Sequence, residues 1–229
     1  MIAIVVPAND EEERIEKCVK SLVNASSHSG LRGEIVQIIV VLDACMDRTG
    51  QIARRNGAFT IDVHARNVGL ARQTGAKHAL SAGARWLAFT DADSVVAADW
   101  LTCQLALKAD AVCGTVAVDD WGHYGQKMHQ HFDQTYSDRE EHKHIHGANL
   151  GVSAAAYVVA GGFKALESSE DVALVESLKN TGARIAWSSK PRVVTSTRSD
   201  YKAPGGFGAT LQRIQKTHLR EALEGRVLQ

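Results

Sequence analysis

The chain has 229 residues, 45% of them hydrophobic and 23% charged, with 26 Lys+Arg against 26 Asp+Glu. This is the composition of a globular domain with a full core, and its zero formal net charge argues against a basic nucleic-acid binder or a polybasic membrane-surface protein. Four scattered cysteines, Cys18, Cys45, Cys103 and Cys113, form no C-x-x-C pair and point to a reducing cytoplasm.

Ile2–Val6 is an unbroken apolar run, as in a strand buried on both faces of a parallel sheet. It has no basic flank and runs at once into Asn9-Asp10-Glu11-Glu12-Glu13, unlike a signal peptide. Asn9 with Glu12 three residues on reads as a helix start. Ile15, Cys18, Val19, Leu22 and Val23 then mark one buried helical stripe. Ile35–Leu42 predicts a second strand, Thr49–Asn56 a short helix, and Phe59–Val63 a strand. Asn67–Ala82 reads as an Ala-rich helix, Trp86–Thr90 as a strand, Asp99–Ala109 as a helix and Ala111–Val118 as a strand.

The second half is less regular. Asp119–His146 is polar and holds six of the ten histidines, and Gly147–Phe163 is small and apolar. Ser168–Asn180 predicts a helix, Ile185–Trp187 and Val193–Thr197 strands, and Gly208–Leu223 an amphipathic helix. No stretch reaches the ~20 apolar residues of a membrane span. Strands alternating with helices predict βαβ units and a parallel sheet. Such sheets bind ligands beyond the carboxyl ends of their strands. Three of those ends carry polar clusters: Pro7-Ala8-Asn9, Asp43, and Asp91-Ala92-Asp93.

Each cluster has a functional and a structural reading. Asp91 and Asp93 are hard oxygen donors suited to Mg²⁺ or Mn²⁺ with substrate phosphates, or a polar turn. Glu170-Asp171 offers a general base, or Ser168 and Asp171 form a capping box. Asp43 can accept hydrogen bonds from a base or ribose, while Asp47 or Thr49 caps the next helix. Arg66-Asn67-Val68-Gly69-Leu70-Ala71-Arg72 suits a phosphate-bearing ligand or supplies helix-end cations. His129-x-His131 and His142-x-His144-x-His146 alternate like one face of a strand, or like a loop that gathers zinc.

Taken in order, these stretches resemble family 2 glycosyltransferases of the GT-A fold. The resemblance rests on Ile4–Glu12, Val40–Asp43 with Asp47 and Thr49, Arg66–Arg72, Phe89–Asp93, Gly147–Leu150, Gly161–Phe163 and Glu170–Leu174. It implies a Rossmann-like, mostly parallel α/β sheet with flanking helices and a smaller acceptor-side region, in one domain. Residues 1–118 would hold the nucleotide-sugar, 119–200 the acceptor and catalytic half, and 201–229 a helical tail. The implied donor is a nucleotide-diphosphate-sugar, on family frequency a UDP-sugar, lined by Pro7, Ala8, Asn9, Glu11, Asp43, Arg66, Gly69, Arg72 and Asp91. Asp91 and Asp93 would hold Mn²⁺ or Mg²⁺. Asp171, paired with Glu170, would be the base of an inverting transfer, with His146, Gly147, Asn149 and Arg198 on the acceptor side.

The chain departs from the family pattern in places. Asn9-Asp10 replaces an aromatic or Asn followed by Glu, Ala44 replaces a second acid, and Val193–Arg198 lacks a late metal-binding histidine. A nucleotidyltransferase would open on a Gly-rich loop and a dehydrogenase on G-x-G-x-x-G, and neither is present. A zinc hydrolase built on His129–His146 and a non-catalytic nucleotide-sugar binder remain as alternatives. The tail helix would pack on its own domain or on a second copy in a homodimer.

Overall fold

The computed structural model describes residues 1–118 and 120–196. Seven strands make the main sheet: β1 (Ile2–Ala8), β2 (Val36–Asp43), β3 (Phe59–Val63), β4 (Trp86–Phe89), β6 (Ala111–Gly114), β7 (Leu150–Ser153) and β8 (Ile185–Ser188). Their order is β3-β2-β1-β4-β7-β6-β8. All run parallel except β7, which is antiparallel to both neighbours. A two-stranded ribbon pairs β5 (Val95–Val96) with β9 (Val193–Val194).

The alternation of β1 and β2 divides the core. Ile2, Ile4, Val6, Ile38 and Val40 face α1 (Ile15–Ser26) and α4 (Trp100–Ala106). Ala3, Val5, Ile39 and Val41 face α3 (Val68–Ser81) and α7 (Glu170–Asn180). Period-two burial on both faces explains why Ile2–Val6 and Ile38–Leu42 are uninterrupted apolar runs. The remaining helices are α2 (Thr49–Arg55), α5 (Gly125–Thr135) and α6 (Ala154–Val159).

Several local expectations change. Asn9 and Glu12 do not cap α1. The Asn9 amide donates to Asp43 O at 2.7 Å, and Glu12 Oε2 accepts from Arg48 Nε at 3.1 Å. Helix α1 instead begins after Arg14, with no side-chain cap. Asn67 does cap α3, its Oδ1 accepting from Leu70 N–H at 2.8 Å. The strand expected over Ala111–Val118 stops at Gly114, and Val193–Val194 is shorter than expected; Thr197 lies outside the described residues, as does the tail helix Gly208–Leu223. The histidine-rich stretch is neither strand nor open loop throughout, because His129 and His131 sit on α5. No described helix is long and apolar enough to cross a membrane.

Candidate active site

Strands β1, β2 and β4 end at one edge of the sheet. The reversed β7 starts there, so the residues before it reach the same edge. The β4–β7 ladder closes on Phe89↔Leu150. Two further residues along each chain bring Asp91 level with Ala148. The register therefore delivers the 3₁₀ turn Gly147–Asn149 to the Asp91-Ala92-Asp93 turn.

Arg72 joins the pieces. It enters from α3 and is 3% exposed. Its Nη2 donates to Asp91 Oδ1 at 2.6 Å and its Nη1 to Gly147 O at 2.7 Å. Its Nε lies 3.0 Å from Glu170 Oε1, as a charge pair rather than an aligned hydrogen bond. Burial lowers the Arg72 pKa, but Asp91, Glu170 and Asp171 outweigh it and hold the guanidinium above its ordinary value. Burial pushes Glu170 above the usual carboxylate range against the pull of Arg72. The expectation that Arg72 meets phosphate, and the alternative of a solvated helix-end cation, both give way to a buried guanidinium held by two carboxylates and a carbonyl.

Asp171 stands on the other side of Gly147. Its Oδ2 accepts the Gly147 N–H at 2.7 Å and its Oδ1 the Val172 N–H at 2.7 Å. The capping box expected with Ser168 does not form. Ser169 precedes α7 in a left-handed conformation (φ 60°) with no side-chain cap. Asp171 is thus turned toward the strand-end edge. A Cβ on Gly147 would press on the Arg72 guanidinium, 2.7 Å from Cζ, which requires glycine here.

Asp91 keeps an exposed side, and Asp93 is half-buried beside it. Ser94 Oγ donates to Thr195 Oγ1 at 3.0 Å, tying this turn to β9. Burial, then Asp93, Asp91 and Glu11, raise the Cys18 thiol far above its ordinary pKa, so acidic charge gathers here. Two hard carboxylates at an acidic strand end fit Mg²⁺ or Mn²⁺ by donor chemistry.

Asp43 is 5% exposed and organises a loop. Its carboxylate accepts the N–H groups of Ala65, Arg66 and Asn67 at 2.8, 2.8 and 2.7 Å. This holds Arg66 at φ 48° with an exposed side chain. Three of the Asp43 acceptor positions are therefore taken by the protein. Gly69 is likewise packed away, its N–H on Leu166 O at 3.0 Å and its Cα side against the Lys164–Leu166 backbone. Half-buried Pro7 and Asn9 flank buried Ala8, and Glu11 is buried with its N–H on Thr49 Oγ1 at 2.7 Å.

Asn149, expected on the acceptor side, is fully buried. It accepts from Trp100 Nε1 at 2.8 Å and donates to Thr115 O and Pro191 O at 2.7 and 2.8 Å. All its bonds run inward, so it joins α4 to the β6 and β9 connections. Arg198 lies outside the described residues.

The histidines stack rather than converge. Phe132, Tyr136 and His144 lie face to face at 4.5 and 4.2 Å, with His142 and His146 flanking His144. His144 Nε2 accepts from Ser137 N–H and His142 Nδ1 from His144 N–H, both at 3.1 Å. Tyr136 Oη accepts the Val116 N–H and contacts His146 Nε2, each at 2.9 Å. Burial drives His146 down to about 3. The lone pairs of His142 and His144 that a zinc ion would need are thus taken by backbone amides. The described side chains that do converge in a metal-like group are Asp10, Cys45 and Asp47. Their atoms lock the β1 and β2 loops together: Asp10 Oδ1 accepts Met46 N–H at 2.7 Å and Asp47 Oδ2 accepts Glu12 N–H at 3.0 Å. The Asp10–Cys45 connection was not visible in the sequence, where the two lie on separate loops.

The family profile described as glycosyl transferase family 2 matches residues 3–166, and the chain belongs to that family. No curated protein matches the sequence. Among solved structures, Staphylococcus aureus TarS in complex with UDP-GlcNAc superposes with a TM-score of 0.67 at 16% identity, over 93% of this chain and 65% of that one. The mannosyltransferase PcManGT from Pyrobaculum calidifontis, in complex with GDP-Man and Mn²⁺, gives a TM-score of 0.68 at 16% identity, over 97% and 64%. This chain spans less than two thirds of either structure. The shared architecture is the GT-A fold.

Proposed function

We propose that this protein transfers a sugar from a nucleotide-diphosphate-sugar to an acceptor hydroxyl, with inversion and with Mn²⁺ or Mg²⁺. The observation that carries the reading is the position of Asp171, hydrogen-bonded to the turn that Arg72 ties to Asp91.

Asp171 takes the proton of the acceptor hydroxyl as that oxygen attacks the anomeric carbon. The new C–O bond forms as the bond to the diphosphate oxygen breaks on the opposite face, which inverts the anomer. Asp91 and Asp93 would hold a divalent cation, which would offset negative charge on the departing diphosphate. Pro7, Ala8 and Asn9 line the nucleotide side. Asp43 acts there by shaping the Ala65–Asn67 backbone and presenting Arg66, while Glu11 and Gly69 support the pocket from within. His146 and Gly147 are assigned to the acceptor side, and Arg198 with them. The unit is one catalytic domain, with residues 1–118 for the donor, 119–200 for the acceptor and 201–229 as a tail. Its four free cysteines agree with a reducing cytoplasm.

The test is a thermal-shift panel of UDP- and GDP-sugars with and without Mn²⁺, because a ligand of the folded state raises its stability. A metal-dependent shift with one donor, followed by release of the matching nucleoside diphosphate and NMR of the product anomer, is the expected result. A shift without turnover would favour a non-catalytic binder. Silence across the panel rejects the assignment.

A further inference from the structure

Arg72 bridges three segments that meet only in the fold. One fork reaches the end of β4 through Asp91, the turn before β7 through Gly147 O, and the first turn of α7 through Glu170. Gly147 is then held on both sides, the C=O of the peptide that follows it by Arg72 and the N–H of the peptide that precedes it by Asp171. Phe163 closes the remaining side, with its ring 5.8 Å from the guanidinium carbon. Guanidinium is the group that can do this, since its planar donors point in fixed directions at several acceptors at once.

We propose that Arg72 is the positioning residue of this site, fixing the cation-binding Asp91 and the base Asp171 in one frame through the turn at Gly147. This rests on the glycosyl-transfer reading for the roles of Asp91 and Asp171. Arg72 touches neither donor nor acceptor; it acts on the groups that do. By bonding one Asp91 oxygen it turns the other outward. By holding Gly147 O it anchors the turn whose Gly147 N–H orients Asp171. By pairing with Glu170 it keeps the first turn of α7, and with it Asp171, against the sheet edge.

The test compares Arg72→Lys, Gly147→Ala and Glu170→Gln with the parent protein. Arg85→Lys, in a surface pair with Glu34, serves as control. Two quantities are read: binding of Mn²⁺ alone, by electron paramagnetic resonance of the free ion, and kcat for donor cleavage. Lysine keeps the charge but is a point donor that cannot span three acceptors. Arg72→Lys is expected to weaken Mn²⁺ binding about 10-fold and to lower kcat about 100-fold. Gly147→Ala keeps every charged group and displaces the guanidinium from Gly147 O. It is expected to lower kcat at least 10-fold with a smaller change in Mn²⁺ affinity. Such a split between kcat and metal binding is not what a loss of general stability produces.

A folded Arg72→Lys protein with parental Mn²⁺ affinity and parental kcat overturns the proposal. So does an unfolded Arg72→Lys protein when Gly147→Ala and Glu170→Gln both keep the parental values. Were the parent to bind Mn²⁺ yet cleave no donor, the glycosyl-transfer reading fails, and the Mn²⁺ affinities still decide the role of Arg72. Were it to cleave donor without binding Mn²⁺, kcat decides.

Discussion

Trp100 and Asn149 are joined side chain to side chain in the closed interior, the indole N–H donating to Asn149 Oδ1 at 2.8 Å. The Asn149 amide continues to Thr115 O and Pro191 O, so one side chain ties α4, the end of β6 and the approach to β9. Replacing it with Ala strands three buried polar groups. Each lost partner costs about 1–3 kcal/mol. Asn149→Ala should lower the urea-unfolding free energy by about 3 kcal/mol or more. A loss below 1 kcal/mol would show that the site repacks around the deletion.

Asp171→Asn keeps the shape of the side chain and removes its ability to accept a proton. Turnover should fall by about 10²–10⁴-fold, as for loss of a general base. Nucleotide-sugar affinity, measured by calorimetry, should stay within about threefold of the parent. Parental turnover in this variant rejects Asp171 as the base.

Asp93→Ala should weaken Mn²⁺-dependent binding of the donor and leave any metal-free binding unchanged. Paired calorimetric titrations with Mn²⁺ and with EDTA separate the two. Equal losses in both would place Asp93 in direct contact with the nucleotide instead.

Acid should loosen the stacked histidine segment. Burial lowers His142, His144 and His146, the last from 6.5 to about 3. The unfolded chain therefore takes up these protons first as pH falls. The stabilising contribution of neutral His146 is complete above about pH 6.5 and is lost progressively down to about pH 3. His146 adds a slope of up to about 1.4 kcal/mol per pH unit in that window, and His142 and His144, also lowered by burial, add to the slope as pH falls below 6.5. His146→Gln should flatten this limb of the stability–pH profile. An unchanged slope between pH 6 and 4 would reject it. The groups around the segment include Asp138, which pairs with Arg192, and Glu140, which accepts from Ser188 Oγ.

Asp43→Ala removes the acceptor of three consecutive backbone N–H groups. Hydrogen exchange at Ala65, Arg66 and Asn67 should accelerate at least tenfold, since these amides lose their partner. Donor affinity should fall with it, because Arg66 is no longer held in its left-handed conformation. Protection unchanged at these amides would reject the loop-organising role.

Much of the fold was legible because β1 and β2 are buried on both faces. Ile2–Val6 and Ile38–Leu42 have to be apolar throughout, and that pattern needs no tertiary information. Helix α5 was not read as one: its apolar stripe is thin, Tyr124, Met128 and Phe132 at four-residue spacing in an otherwise polar stretch. β7 was hidden in a run of small residues, where Gly151 packs against Trp86 and Gln104. The same physics divides the site. Asp91, Asp93 and Asp171 stood out as acids at element ends. Their link through Arg72 did not, because it depends on an antiparallel strand whose register no local pattern encodes. Asn149 was expected on the acceptor side; its three buried partners come from distant segments that local sequence does not bring together.

The direction of β7 has a consequence for how this protein can vary. β6 leaves the sheet, and β7 re-enters it, at the same edge. Residues 115–149 are therefore an excursion whose two ends are already fastened side by side over the cleft. Ala117 still bridges to Val194, so the portion open to change lies between Ala117 and Tyr136, where no strand pairing occurs among the described residues. What is built on that rim is separable from the scaffold that carries it. The natural place to graft a new acceptor preference is this excursion, leaving the Arg72 frame beneath it untouched.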